Sequence, residues 1–560
     1  DPTRQLALLD AELHDEGGDP TRWAVVAERV ERLAPGNPRA HLMIARVAYL
    51  HGEPERSAEH YLRAIESAAV TAGSAAIAEV AASSLGDMGT LAPNMPTTVA
   101  ARVAAILANP GHIGGATVSS LSGMLISFAY RAGDLARVRA LADGMGCITS
   151  YRVAGPFGPE VMTGFDRSYP AAGVGPLAAT YDLGPHRGQQ PTRALEARGC
   201  VVSIAESAAR SGPGTSYAEA FVEVPRSGDF WLLVDIGVAY ELSLDGRRVV
   251  RADRRRDVSP RLTFHRVTLE AGRHELEVRT TARAGNPAIM VALMADDGLR
   301  PRAEAPSTTY DGSLPAEGAG LSGLDLWVAV RQALDRGNGV LAREYATRMG
   351  ERPGAAMQAL AIQVAQNDPF LEDQQRQTRV LSLVRSLRAR DPLMWNAALQ
   401  DARQASGEGR DQEALALARQ MHTQWPTLAP VTLFLVELLV ARGWDGEADG
   451  LIAEATAAIP GACTPLYSTL SGAQRRGVAR EIDAAVEAIV ACDATSSARY
   501  ERHMAQRNWD GARAEIDRLT AFEPPQARAL LLGWHLEVAR SVSDDRRVNE
   551  ILTELSTLTP

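Results

Sequence analysis

Apolar residues recur at helical spacing through the first quarter of the chain. Asn37-Pro38 opens a segment in which Ile44 and Ala48 share one helical face, and Gly52 then supplies a turn. A second apolar series follows that turn, so the segment is predicted to form a helix pair. The same spacing predicts further helices at 74–86, 97–108, 116–131 and 134–144.

At about Cys147 the pattern changes to short alternating runs that are separated by Gly and Pro. In the first clear run, Ala218, Ala220, Val222 and Val224 fall on one face of a strand. Further strands are predicted at 230–236, 240–244, 247–250, 262–269, 275–279 and 288–294. Short strands with turns at this spacing are typical of an antiparallel β-sandwich, which we place at 147–300.

Helical spacing returns after a stretch of Pro, Gly, Ala and Ser at 301–323, which has the composition of a linker. The rest of the chain, 324–560, is predicted to be helical. Its first helices are expected at 327–336, 340–349, 355–366 and 371–390.

Pro, Gly and Ala residues recur with a period of 34 residues in this last part. They are Pro392, Pro426 and Pro460; Gly409, Gly443 and Gly477; and Ala414 and Ala448. Gly suits the turn between two antiparallel helices, Ala lets the helices approach closely, and Pro ends the second helix. This pattern resembles the tetratricopeptide repeat, which has the same period. The resemblance implies a multidomain protein in which α-helical, tetratricopeptide-like solenoids at 1–146 and 324–560 flank the β-sandwich.

The β segment resembles a module found between such repeats in secreted or envelope-associated bacterial proteins. The matching residues are Gly155-Pro156-Phe157, Gly164-Phe165-Asp166, Tyr169-Pro170, Leu244-Asp245-Gly246 and the stretch from Leu269 to His274. In that family the sandwich is similar to jelly-roll and carbohydrate-binding modules, and a transglutaminase-like domain often follows the repeats. The match does not include the transglutaminase-like part, so it implies no catalytic residue here.

Composition narrows the classes of function. The 560 residues carry a net charge of −10, and such an acidic chain lacks the positive field of a general nucleic-acid binder. All 58 basic residues are Arg. Chemistry that depends on lysine, such as a Schiff base or a phosphate-loop lysine, is therefore excluded.

The sequence predicts no membrane span, because its longest apolar run, Val431 to Ala441, is too short and contains Glu437. It also predicts no metal and no cofactor. His274-Glu275 lacks the second His of a zinc-protease helix. Gly318 to Gly323 matches the dinucleotide fingerprint in letters, but it follows a linker and not a strand.

Four cysteines are present. Cys463 begins the first helix of a predicted pair and Cys492 ends the second, so antiparallel packing would bring them within disulfide range. Two separately buried thiols are the alternative. Cys147 and Cys200 are a second candidate pair at the start of the β segment. A disulfide would indicate an oxidising compartment.

Three sets of residues are candidate contacts. Small residues on the first helix of a repeat, which are Ala398, Ala402 and Ala405, would leave room for a partner in a groove. Aromatic residues of the sandwich, which are Tyr217, Phe221, Trp231 and Tyr240, would stack on a glycan, although core packing is the default. Arginines that would bind an anion are Arg251, Arg254, Arg255 and Arg256, although neighbouring Asp residues favour a self-paired loop.

These features favour a non-catalytic scaffold that binds protein or peptide partners through helical-repeat grooves. The alternative is the accessory region of a larger, transglutaminase-like envelope enzyme in which the sandwich binds carbohydrate. A third interpretation makes the sandwich a rigid spacer without a ligand. The expected location is extracytoplasmic, either periplasmic or secreted.

Overall fold

The structure is a computed structural model of the whole chain. It describes all residues except 92–94, 159, 174, 184–187, 198, 205–212, 255–260, 283–286, 296–320, 322, 351–352, 369, 459–462, 523–527 and 559–560. Most of the predicted linker and Pro460 therefore lie outside the described residues.

Helices form the chain up to residue 144. Helices α1 to α8 are Pro2–His14, Trp23–Leu33, Pro38–Leu50, Pro54–Val70, Ala75–Asp87, Met95–Ala108, Gly115–Arg131 and Leu135–Gly144, with short 3-10 turns at Pro20–Arg22 and Met88–Thr90. The start of α3 follows from its sequence. Asn37 caps it by accepting hydrogen bonds from the backbone N–H groups of Arg39 and Ala40, and Pro38 occupies its first position.

Strands form most of the next segment. Strands β1 to β12 are Ser150–Phe157, Thr180–Asp182, Gln189–Pro191, Arg193–Glu196, Val201–Ser203, Gly214–Val224, Gly228–Ile236, Ala239–Leu244, Arg247–Ala252, Leu262–Leu269, Gly272–Ala282 and Ala288–Ala295; the four-residue helix α9 is Val161–Gly164. Each strand predicted from the sequence overlaps one of β6 to β12. Strands β1 to β5 were not predicted. The short strands β2 to β5 contain too few residues to show alternation, and β1 is buried over its last five residues and therefore does not alternate either.

Two antiparallel sheets make the sandwich. One has the strand order β4-β1-β6-β11-β8-β9, the other has the order β10-β7-β12-β5, and β2 and β3 form a separate pair. The core between the sheets contains alternate residues of the strands, as in β6, where Ala218, Ala220 and Val224 are buried. Leu276 and Val278 of β11 face the same core, so Glu275 and Glu277 lie on the opposite face of their sheet.

Helices resume at Gly323. Helices α10 to α23 are Gly323–Asp335, Gly339–Thr347, Ala355–Gln366, Asp373–Arg390, Trp395–Gly407, Asp411–Gln424, Ala429–Val440, Asp445–Ala458, Cys463–Arg476, Ala479–Cys492, Ala498–Ala505, Trp509–Thr520, Arg528–Ser541 and Asp545–Leu558. The fold therefore consists of helical repeat pairs that precede and follow an antiparallel sandwich along the sequence, as predicted.

The 34-residue period has a direct structural counterpart. Gly409, Gly443 and Gly477 each follow the first helix of a pair with φ values of 74°, 72° and 68°. This left-handed conformation is readily adopted only by Gly, which explains the recurrence. Ala414 and Ala448, one turn into the second helix, are completely buried. A larger side chain at either position would separate the paired helices.

The chain divides into two compact units. Among the described residues, the first unit comprises 1–125 and 321–492, and the second comprises 126–295 and 493–558. Each unit thus combines helices from before and after the linker. In the first, Arg39 pairs with Asp325 at 2.6 Å. In the second, the Arg131 carbonyl accepts a hydrogen bond from the Ala494 N–H at 2.8 Å.

Within the described ranges, none of the helices combines the length and the apolar character that crossing a bilayer requires.

Candidate functional site

Both predicted cysteine pairs are disulfide-bonded in the structure. Cys463 at the start of α18 is joined to Cys492 at the end of α19, with 5.7 Å between the Cα atoms. Cys147 is joined to Cys200, with a Cα–Cα distance of 5.2 Å. The first bond ties together the two ends of a helix pair, and the second ties β1 to β5 near their starts.

The three alanines of the predicted groove are not accessible. Ala398, Ala402 and Ala405 are all buried on α14, which packs against α13 and α15. Their small size serves close helix packing, as it does for Ala414. The prediction that these residues line a partner groove is therefore wrong, because neighbouring helices cover them.

Three of the four aromatic residues proposed to contact a glycan are also buried. Tyr217, Trp231 and Tyr240 are buried, so none of them presents an exposed ring face to a ligand. Tyr240 belongs to the core between the sheets, whereas Tyr217 packs against Phe157 on the outer face of the six-stranded sheet. Phe221 is the exception, since 39% of it is exposed, and the guanidinium of Arg273 lies 3.8 Å from the centre of its ring. An exposed row of aromatic rings is not formed by this set.

Arg251, one of the arginines proposed to bind an anion, has acidic partners within the chain. Arg251 forms ion pairs with Glu241 at 2.9 Å and with Asp166 at 2.6 Å. Arg254 is half-buried, and this burial lowers its pKa. Arg255 and Arg256 lie outside the described residues. The self-paired interpretation fits Arg251, although its acidic partners are not the Asp residues that the sequence pointed to.

A different cavity stands out in the first unit. Helices α3, α4, α5, α10, α12 and α14 surround a space of about 60 Å3. We call it the Arg46 pocket and define it by Arg46, Tyr49, Tyr61, Trp327, Gln363 and Asn396, which all line it. Tyr49, Gln363 and Asn396 are half-buried, whereas Arg46 and Trp327 are buried; Asp87 of α5 also lines the space and is exposed.

Arg46 has few partners for a buried cation. Its guanidinium carbon lies 3.7 Å from the centre of the Trp327 ring, and its Nη2 donates to the Ala356 carbonyl at 3.3 Å. Its Nε has no hydrogen-bond partner, and only 8% of the residue is exposed. Among the described residues no carboxylate forms an ion pair with it. Burial without such a partner lowers the pKa of Arg46 to about 10.

A second arginine in the cavity wall has two carboxylate partners. Arg331 lies one turn after Trp327 on α10 and contacts Asp87 at 2.6 Å and Asp335 at 2.9 Å. Burial raises the pKa of Asp335 to about 6, although the positive charge of Arg331 opposes this shift. The two carboxylates near the cavity are therefore engaged by Arg331 and leave Arg46 without one.

The phenols in the wall stay neutral at physiological pH. Burial raises the pKa of Tyr49 to about 12, and it also raises the pKa of Tyr61. A neutral phenol is a hydrogen-bond donor. The lining of the Arg46 pocket thus combines the cation Arg46, the ion pair of Arg331 with Asp87 and neutral donors, and its chemistry suits an anion or a polar oxygen better than a cation.

The second unit has a larger and acidic pocket on the outer face of the six-stranded sheet. It has a volume of about 220 Å3 and is lined by Tyr217, Glu241, Ser243, Glu275, Glu277 and Arg279 together with Ala172, Gly173 and Gly246. Burial, and then repulsion from Glu275, raises the pKa of Glu277 to about 7. We call this space the sheet pocket. The described residues contain no cluster of His, Cys, Asp and Glu suited to a metal ion.

Sequence reasoning did not find the Arg46 pocket. One signal was present, because Arg46 interrupts an otherwise apolar stretch of α3 that runs from Met43 to Ala48. A lone Arg on an apolar face is, however, usually explained by its aliphatic stem. Its contact with Trp327 joins residues that are far apart in the sequence, and no local pattern reports such a contact.

Comparison with known proteins adds little. No protein-family model matches the sequence, and no curated protein matches it. The crystal structure of the APC/C hetero-tetramer Cut9–Hcn1 is similar over 96% of this chain and 84% of that chain, with 9% identity and a TM-score of 0.25. A circular tandem repeat protein with novel repeat topology and enhanced subunit contact surfaces is similar over 100% of this chain and 95% of that chain, with 11% identity and a TM-score of 0.13. TM-scores this low do not establish a structural relationship, so the assignment to helical repeats rests on the helix pairs described above.

Proposed function

We propose that the protein is a non-catalytic scaffold that binds a protein or peptide partner through the helical repeats of its first unit. Stacked helix pairs offer extended surfaces to other chains, and this is their general use. The observation that carries the proposal is the Arg46 pocket, which opens between helices and contains a cation without a carboxylate partner. A partner side chain or chain end would complete that site.

An extracytoplasmic location is part of the same proposal. The two disulfides, Cys463–Cys492 and Cys147–Cys200, support it, because disulfides persist mainly in oxidising compartments. Alkylation of the protein isolated from its native host, followed by intact mass measurement with and without reductant, tests this part. Four thiols that are alkylated without reduction would contradict it.

A display experiment tests the binding function. Random peptides would be selected on the full chain, and a selected peptide would then be cross-linked to a photoreactive residue placed at Gln363 or at Gln366. Both glutamines lie on α12, but Gln363 lines the Arg46 pocket and Gln366 is exposed outside it. Cross-linking at 363 and not at 366 supports the proposal. Failure to enrich any peptide, or equal cross-linking at both positions, contradicts it.

A second candidate function rests on the sheet pocket. Its carboxylates and Arg279 can accept and donate hydrogen bonds to hydroxyl groups, which suits a carbohydrate. This is the role expected if the chain is the recognition region of a larger, transglutaminase-like envelope enzyme. Binding of the full chain to a glycan array would support it if Glu275→Gln weakens the binding and Glu223→Gln, an exposed change on β6, does not. An array without signal would contradict it.

A further inference from the structure

We propose that the Arg46 pocket binds a carboxylate group, which the partner supplies. The inference rests on the proposed function, and it adds the chemistry of the group that is recognised. It starts from the state of Arg46, whose five N–H donors make one hydrogen bond to the described residues, that to the Ala356 carbonyl. The unpartnered Nε and the face stacked on Trp327 show that this bond does not satisfy the guanidinium.

An unpaired buried charge needs compensation. Removing a guanidinium from water costs several kcal/mol unless an anion or several hydrogen bonds replace the water. The nearby carboxylates do not fill this role, because Asp87 and Asp335 are both paired with Arg331. The stacked Trp327 ring offsets part of the cost, since cations are attracted to its face. An anion from outside the chain would supply the rest.

The partner's chemistry selects among anions. The accessible space of about 60 Å3 is several times the roughly 10–15 Å3 that one water molecule needs, so the pocket has room for a small ligand group. A carboxylate is the anion that an unmodified protein or peptide partner carries. Guanidinium and carboxylate also match in shape, because both are planar and form two parallel hydrogen bonds.

The remaining wall fits the same ligand. Tyr49, Gln363 and Asn396 line the pocket together with Arg46 and carry a hydroxyl and two amide groups, which can donate hydrogen bonds to oxygen. Asp87 also lines the pocket and adds a negative charge, which its ion pair with Arg331 at 2.6 Å compensates. Arg46 is therefore the lining cation with which an entering carboxylate would pair.

Thermal unfolding of the full chain in acetate is the first test. At equal ionic strength, acetate is expected to raise the unfolding temperature by about 2 °C or more over chloride, because a ligand stabilises the state that binds it. Phosphate should raise it less. The Arg46→Met variant should lose the acetate effect and keep its unfolding temperature in chloride, since Met replaces an unpaired buried charge. Arg29→Met, a change of an exposed arginine on α2, should behave as the parent does.

Three outcomes would overturn the inference: no acetate effect on the parent, an effect of equal size from phosphate, or an acetate effect that survives in Arg46→Met. If Arg46→Met does not fold, Tyr49→Phe replaces it. That variant removes one hydrogen-bond donor of the pocket lining and should weaken acetate binding severalfold. Unchanged binding in Tyr49→Phe would then count against the inference.

Three small probes identify the source of the carboxylate. N-acetyl-glutamate amide carries a side-chain carboxylate, N-acetyl-alanine carries a terminal one, and N-acetyl-alanine amide carries none. Binding of either acid, but not of the amide, supports the inference and names the source. If selected peptides cross-link at Gln363 and Arg46→Met does not weaken them, the carboxylate inference fails while the scaffold proposal stands. If acetate binds and no peptide does, the scaffold proposal fails and the site takes a free small carboxylate.

Discussion

At the scale of single residues, each unit contains an ionisable residue whose surroundings shift its pKa strongly. Arg46 in the helical unit and Glu277 on the sheet are each held where their charged form is disfavoured, with pKa values of about 10 and about 7. Such perturbed groups are common at functional sites, because binding partners often supply the missing compensation. They also make predictions about stability that do not depend on any ligand.

The pKa of Glu277 predicts a pH-dependent contribution to stability. Its folded-state pKa of about 7 exceeds the unfolded value of 4.5, so the folded state favours the protonated form. The contribution is complete below the unfolded pKa and is lost as the pH rises through the folded pKa. The stability of Glu277→Gln relative to the parent should therefore be higher at pH 8 than at pH 5. The difference between their unfolding temperatures at the two pH values measures this.

The matched change for that experiment is Glu223→Gln on β6, because Glu223 is exposed. It should give the same difference from the parent at both pH values. A Glu277→Gln variant whose difference from the parent does not change between pH 5 and pH 8 would show that Glu277 stays ionised.

The helix pair is the unit of stability at the scale of elements, and its turn is conformationally demanding. Gly443 joins α16 to α17 with a φ of 72°. Gly443→Ala should lower the free energy of unfolding by about 1–2 kcal/mol, because a side chain disfavours this left-handed conformation. Chemical denaturation measures the change.

Gly450 provides the comparison within the same helix pair. It lies inside α17, and a methyl group added there would meet no atom within 4 Å. Gly450→Ala should leave stability unchanged or raise it by up to about 1 kcal/mol, because Ala is the better helix former. The interpretation of the turn would be wrong if Gly443→Ala were as well tolerated as Gly450→Ala.

The disulfide of α18 and α19 makes a separate prediction for one helix pair. Cys463 and Cys492 are 29 residues apart, and closing a loop of this length contributes about 3–4 kcal/mol in the chain-entropy account. The Cys463→Ala, Cys492→Ala double variant should exchange its α18 and α19 amide hydrogens faster than the parent does, as hydrogen-exchange mass spectrometry can measure. The Cys147→Ala, Cys200→Ala variant should leave this exchange unchanged. Equal protection of α18 and α19 in all three proteins would contradict the prediction.

At the scale of the whole molecule, each unit consists of segments that are distant in the sequence. In the first unit, Arg336 pairs with Glu79 at 2.7 Å, and Leu324 and Trp327 of α10 are buried. The side chains of Arg336 and Glu79 are 14% and 8% exposed, so the lost hydration of the two charges offsets much of their attraction, and apolar burial supplies most of the association. The part of the chain before the linker should therefore stay non-covalently associated with the part after it.

A cut in the linker tests this arrangement. A protease site inserted between Asp311 and Gly312 should give two fragments that elute together at the size of the uncut chain. The disulfides cannot hold them, because each one joins two cysteines on the same side of the cut. Denaturant should separate them. Separate elution without denaturant would contradict the assignment of segments to the first unit.

Local patterns determined the type and order of the elements. The period of 34 residues follows from the repeated turn at Gly409, Gly443 and Gly477, and strand alternation follows from a core on one face, so both are visible in the sequence. The disulfide of α18 and α19 was also predictable, since antiparallel helices of equal length bring the two ends together.

Contacts between distant residues determined the candidate site. Whether Ala402 lies in a groove or under a neighbouring helix, and whether Arg46 finds a carboxylate, depends on which helices pack together. Arg46 and Trp327 lie on opposite sides of the β-sandwich in the sequence, and their contact comes from tertiary packing that no helical or strand period encodes. The sequence by itself determined the repeat and the sandwich, and only the tertiary structure decided where an unpaired charge would be left for a partner.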